Sequence, residues 1–158
     1  MLITIVAVGK LKAGPERLLF DRFSERIEAA GRKIGFSLIL REVSEGRASS
    51  ANVRKDQEAA ALLAAVPRGA FIVALDEGGK ALDSRAFATR LTEWRDNATD
   101  VVFAIGGADG HGDALLKAAS LRLAFGAMTW PHQLVRVMLA EQVYRAVTIV
   151  SGHPYHRD

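Results

Sequence analysis

The sequence contains no cysteine, which removes disulfide staples, thiolate metal sites and thiol nucleophiles together. That suits a cytoplasmic chain, where disulfides are rare. No apolar run reaches the roughly 18 residues of a membrane span, because arginine or glutamate interrupts every long one. The opening "MLITIVAVGK" has neither a basic leader nor a small-residue cleavage site, so it reads as a first strand and not as a secretion signal. Internal repeats, low-complexity tracts and breaks in composition are absent as well. Nothing marks a linker, so residues 1–158 read as one domain, long enough for a substantial core.

Several chemical signatures are also missing. In "IGGADGHGD", Gly110 and Gly112 begin a G-x-G-x-x-G pattern, but Leu115 stands at its last position, so the dinucleotide fingerprint fails. Gly107 and Gly112 have the gap of a phosphate loop, yet Asp113 and Ala114 follow where Lys and Ser or Thr are needed. No G-x-S-x-G elbow, His-Glu-x-x-His pair or calcium loop occurs. What remains is a strand ending on paired glycines, where backbone can approach a flat ligand closely. A plain tight turn into a helix is the alternative.

What is present is ordinary for a globular chain, 49% hydrophobic and 25% charged. A net charge of +3 and a pI near 9.5 lean mildly toward an anionic partner. Strand and helix signals alternate. "LITIVAVG" (2–9) is a β-branched run closed by glycine, and "PERLLFDRFSERIEAAG" (15–31) has the periodicity of an amphipathic helix. "FSLILREV" (36–43) predicts a second strand, and the polar, basic loop after it a helix over 53–66. "AFIVALD" (70–76) predicts a third strand with "EGGK" as a turn; Asp83 or Ser84 can cap a helix reaching Asp96, and "VVFAIGG" is a fourth strand. A short helix at "GDALLKAAS", an extended or irregular "LRLAFGAMTW" and a last helix over 132–150 complete the chain. This β-α-β-α-β-α-β order predicts an α/β fold, a mostly parallel sheet between helices, with ligands beyond the carboxyl ends of the strands.

Two C-terminal features carry more information. In the last helix Leu139, Val143, Ala146 and Val150 form one apolar stripe, while Leu134, Met138 and Ile149 lie on a different side. The second side suits a two-fold dimer interface, unless both are buried inside one protomer. The chain then ends "SGHPYHRD". His153 and His156, with His132 and Asp158, raise a metal reading, but Pro154 breaks the helix and no supporting second shell is visible. Tyr, His and Arg on a short tail fit base stacking and phosphate contact better; surface packing is the plain alternative. Arg41, Arg47, Arg54 and Lys55 are candidate phosphate contacts, or simply solvated.

Taken in order, "AVGK" (7–10), "LDEGGK" (75–80), "FAIGGADG" (103–110), "PHQLVRVMLAEQVYRA" (131–146) and "HPYHRD" (153–158) closely resemble the RlmH family. These are bacterial 23S rRNA pseudouridine-N3 methyltransferases of the SPOUT superfamily. The resemblance implies a SPOUT-type α/β knot with a C-terminal trefoil knot, a homodimer, an rRNA or ribosome substrate, and S-adenosyl-L-methionine as cofactor without any metal. It implies cofactor contacts from Leu75, from Gly106 and Gly107 of the I-G-G loop, and from Phe125, Gly126, Ala127, Met128, Thr129 and Trp130. It places His132, Arg145, His153, Tyr155, His156 and Arg157 as catalytic candidates, with one protomer's tail closing on the other's cofactor. The chain departs from the family pattern at Ala108 and Asp109, where Pro and Glu are common, at Trp130, commonly Leu, and at Gly152, commonly Asn. A non-catalytic RNA- or ribosome-binding factor, or a methyltransferase for another RNA nucleotide, are the competing readings.

Overall fold

A computed structural model describes residues 1–157; Asp158 lies outside the described residues. Five strands and five α-helices alternate: β1 (Leu2–Val8), α1 (Pro15–Gly31), β2 (Ser37–Val43), α2 (Ala51–Ala64), β3 (Phe71–Ala81), α3 (Ser84–Asp96), β4 (Val101–Ile105), α4 (Asp113–Ala118), β5 (Leu121–Ala124) and α5 (His132–Ser151). The sheet order is β2-β1-β4-β3-β5, and every pairing is parallel. Strands buried on both faces read as near-continuous apolar runs, and β1 and β4 do. Ile3, Ile5 and Ala7 join Val101, Phe103 and Ile105 in the core under α1, α3 and α5. Val6, Val8, Val102 and Ala104 pack with Ala59, Leu62 and Leu115 of α2 and α4 on the opposite face.

The alternation and the parallel sheet agree with expectation; two local readings change and one open reading is resolved. Helix α2 starts at Ala51, two residues earlier than its periodicity suggests. Leu121–Ala124, read as extended or irregular, is extended and forms a fifth strand against β3. The expected turn at "EGGK" lies inside β3: Leu75 and Lys80 both pair with Leu123, so residues 76–79 bulge out between them. Asp76 stabilises this bulge by accepting from the Gly78 N–H at 3.0 Å. Between the two candidate caps of α3, Asp83 does the capping, accepting from Ala86 N at 2.7 Å. The Ser84 hydroxyl instead donates to Gln142 of α5.

Gly79 shows why a small residue ends the bulge. A Cβ there would approach the backbone of Arg122 and Leu123 to 2.7 Å, so β5 would have to move. Gly79→Ala is therefore expected to cost about 1–3 kcal/mol, the range of overpacking. Urea denaturation checks this, and a loss under a few tenths of a kcal/mol would show that β5 yields freely.

In α5 the expected stripe is present: Leu139, Val143 and Ala146 are buried, while Val150 is half-buried. The second side is not enclosed by the protomer, with Leu134 exposed and Met138 and Ile149 half-buried. Among the described residues, no helix is long and apolar enough to cross a membrane.

Candidate active site

A cavity of about 810 Å³ opens beyond the C-terminal ends of β3, β4 and β5, where ligands sit in parallel sheets. Its walls come from residues 75–77, 105–111 and 123–132 with Ala127 left out, together with Val135. That volume suits a cofactor-sized molecule. Among the described residues that line it there is no lysine or arginine, whereas Asp76, Glu77 and Asp109 bring carboxylates. Leu75, Ile105, Phe125, Met128 and Trp130 supply apolar surface. Flat apolar walls, accessible backbone and a cation-free rim fit a ligand with an aromatic ring and a positive charge; a polyphosphate would find no counter-charge.

Side chains from neighbouring elements hold the walls in place. Thr129 donates its hydroxyl to Glu77 at 2.7 Å, and the Trp130 indole N–H donates to Phe125 O at 3.3 Å. These contacts close the 125–130 segment onto itself and onto β3, and they show how Trp130 is accommodated where the resemblance favours Leu. Asp109 meets the Arg54 guanidinium at 2.8 Å, and this hydrogen bond holds its carboxyl below the usual carboxylate range. Arg54 also donates to Ala48 O and Ser49 O, so it organises the 44–50 loop. Arg47 and Arg41 remain exposed, although Arg41 donates to Ala65 O. Behind the glycine loop, Glu58 is buried and accepts from Gly46 N at 2.9 Å. A Cβ on Gly107 would meet its other oxygen at 2.7 Å.

Below the cavity mouth lies a fully buried arginine. Arg136 donates to Glu42 Oε1 at 3.1 Å and to the Val8 carbonyl, and faces His132 Nδ1 at 3.4 Å. The ends of β1 and β2 are thereby tied to the first turn of α5. Burial depresses the Arg136 pKa while Glu42 and Glu45 oppose that shift.

The C-terminal residues form a second cluster, apart from the cavity. Gly152 adopts the left-handed conformation, φ 70°. It donates to Ile149 O while His153 N donates to Thr148 O at 2.9 Å, the two bonds of a Schellman cap. Glycine and asparagine both tolerate that conformation, which accounts for the departure at this position. The chain folds back so that the Tyr155 hydroxyl donates to Glu141 at 3.0 Å and its ring packs edge-on against Tyr144 at 4.8 Å. Burial, then the Glu141 carboxylate, pushes the Tyr155 pKa up. Arg145 lies 4.9 Å over the Tyr155 ring, donates to Glu141, and faces His156 Nδ1 at 3.3 Å. His153 accepts from Tyr155 N, and Arg157 is exposed. Among the described residues no cluster of three His, Asp or Glu could hold a metal.

The structure thus sorts the expected residues into two groups. Leu75, Gly106, Gly107, Phe125, Gly126, Met128, Thr129, Trp130 and His132 line one cavity, while Ala127 lies outside its lining. Arg145, Tyr155 and His156 gather around Glu141, with His153 and Arg157 beside them in the tail. Thirteen residues of α5 separate His132 from Arg145, about 20 Å at the helical rise. A smaller cavity of about 470 Å³, bordered by Met138 and Glu141, shares the 123–126 wall with the first. Sequence reasoning missed Glu58, His111 and Arg136. A glutamate amid the alanines of α2, and a histidine between two glycines, were the available signals.

A family model described as a predicted SPOUT methyltransferase matches residues 1–156. The chain is 55% identical to the ribosomal RNA large subunit methyltransferase H of Nitrobacter hamburgensis, over 99% of both chains. Identity to the proteins of that name in Rhodopseudomonas palustris strain HaA2 and Bradyrhizobium diazoefficiens is 55% and 54%, again over 99% of each chain.

Proposed function

The chain belongs to the SPOUT methyltransferase family, and on that premise we propose that it moves a methyl group from S-adenosylmethionine to N3 of a pseudouridine in 23S rRNA. It acts on the assembled ribosome, as a cytoplasmic homodimer. The observation that carries this reading is the cation-free cavity at the strand ends, in a chain more than half identical along its length to named ribosomal RNA methyltransferases.

The donor supplies a methyl carbon made electrophilic by its sulfonium sulfur. Leu75, Gly106, Gly107 and the 125–130 segment would hold it, with Asp76 and Glu77 favouring its positive charge. In-line displacement depends on placing the acceptor nitrogen correctly, so positioning supplies much of the rate. N3 must also lose a proton lying between two carbonyls. In the proposed site Tyr155 orients the base, Arg145 and Arg157 hold phosphate or carbonyl oxygens, and His132, His153 or His156 takes the proton.

Within one protomer the tail folds back only as far as Glu141, nine residues or about 13 Å along α5 from His132, which favours a composite site in which each tail serves the partner's cavity. An apolar rim supports the same arrangement: Met128, Trp130 and Leu134 are 73, 41 and 37% exposed, suited to being covered by a second copy. The trefoil threading of the C-terminal part belongs to this proposal too. Its support is α5, which returns from the sheet edge at β5 to pack across α1 and α3.

Ribosomes incubated with the protein and methyl-labelled S-adenosylmethionine, followed by mass spectrometry of the digested 23S rRNA, test the proposal. One labelled pseudouridine is expected. Label on a different nucleotide would reassign the substrate, and donor or ribosome binding without label would reduce the protein to a binding factor.

A further inference from the structure

His111 sits between Gly110 and Gly112 at the inner wall of the cavity and is 8% exposed. Its Nε2 lies 2.9 Å from the carbonyl of Leu75. A carbonyl can only accept, so Nε2 carries the proton and Nδ1 holds a lone pair. Nδ1 is buried with no hydrogen-bond partner, and it lies behind Gly106, where an added Cβ would come within 3.3 Å. One imidazole therefore stands between the two strands that frame the cavity: it bonds the Leu75 carbonyl where β3 enters its bulge, and its other nitrogen lies behind Gly106, the residue that follows β4. Burial lowers its pKa against the opposing pull of the Leu75 carbonyl, Asp76 and the Ala104 carbonyl, which favours the neutral ring. A buried acceptor left unsatisfied is costly, and an apolar side chain of similar size would avoid that cost.

We propose that His111 is a positioning residue of the donor cavity, a clamp that holds β3 at Leu75 and the Gly106–Gly110 loop at the spacing the methyl donor requires. The clamp rests on the donor reading given above. It acts through backbone, since its donor atom is engaged by Leu75, and the Nε2–Leu75 hydrogen bond is the contact that matters.

Three full-length variants separate this role from mere packing. In His111→Leu the ring's volume is roughly kept and the hydrogen bond is lost. In His111→Gln an amide N–H still reaches toward Leu75 O, whereas in His111→Asn the shorter side chain does not. Calorimetry with S-adenosylmethionine and S-adenosylhomocysteine is expected to show about tenfold weaker binding for the Leu and Asn variants, the scale of one lost hydrogen bond, with the Gln variant within about threefold of the parent. The KM for the donor rises more than kcat falls. Hydrogen exchange of the ligand-free protein is expected to accelerate at residues 106–110 in the Leu and Asn variants only. Should the Leu variant fail to fold, the Gln and Asn pair makes the same comparison. Parent-like affinity and exchange in Leu or Asn would overturn the clamp, as would a Gln variant as weak as Asn. A parent protein that binds neither ligand, while exchange still responds as expected, overturns the donor reading and leaves the clamp standing.

Discussion

A chain ending at Gly152 is expected to retain its fold and its affinity for the methyl donor while losing methyl transfer by about a thousandfold, the upper range for deleting transition-state contacts. The reasoning is spatial. Among the described residues, none after His132 except Val135 lines the larger cavity, so removing the tail leaves those walls in place. What goes is the Tyr155, His156 and Arg157 group and the bracing of Glu141 and Arg145. Some stability goes too, because Tyr155 packs on Tyr144 and His153 N–H completes the cap of α5. That loss is about 1–3 kcal/mol, enough to read by urea denaturation. Single-turnover methylation of ribosomes, paired with calorimetry on the donor, measures both halves. A truncated chain retaining more than about a tenth of the rate would sink the tail's catalytic role. Tyr155→Phe refines the result: it keeps the ring packing and deletes only the hydroxyl that reaches Glu141, so any fall in rate belongs to that hydroxyl and the group it orients.

Arg136→Ala is expected to be strongly destabilising, at about 3–5 kcal/mol. Its guanidinium is fully buried, so the substitution removes packing volume and strips Glu42 of its ion pair. It also leaves the Val8 carbonyl without a donor. Glu42 keeps the Leu11 N–H at 2.6 Å, which is too little compensation for a carboxylate beside a vacated space. Arg136→Met restores volume and not charge, and Glu42→Gln then removes the stranded charge. The double variant is expected to be more stable than Arg136→Met alone, the sign of coupling within a buried pair. Urea denaturation of the parent, the two single variants and the double variant reads the cycle. An Arg136→Ala loss below about 1 kcal/mol, or strict additivity in the cycle, would refute the account. His132 gives a second readout, since its imidazole loses the neighbour that faces Nδ1.

Much of the architecture was legible because strands and helices here obey their own periodicities. β1 and β4 are apolar on both faces because helices cover both, and the run "LITIVAV" says so without help. The bulge in β3 was hidden: "EGGK" has turn composition, and only the pairing of Lys80 with Leu123 reveals that the strand resumes. The cavity residues were reachable through the family resemblance, since loops of Gly, Ala and Leu carry no spacing code of their own. Arg136 was hidden for a different reason. A helical pattern assigns charged residues to the solvated side, and nothing local announces that the ends of β1 and β2 supply a carboxylate and a carbonyl to receive one. Glu58 and His111 are of the same kind, buried polar groups whose partners are distant in sequence.

The straight run of α5 has one further consequence. Its 20 residues stand between the cavity mouth and the left-handed turn that launches the tail, and a helix converts residue count into length and angle. One inserted residue would lengthen the span by about 1.5 Å and swing everything beyond it through about 100°. The number of residues from His132 to Gly152 is thus a measuring rod, as tightly constrained as any side chain along it. Homologous chains should tolerate exchanges in this stretch far more readily than insertions or deletions.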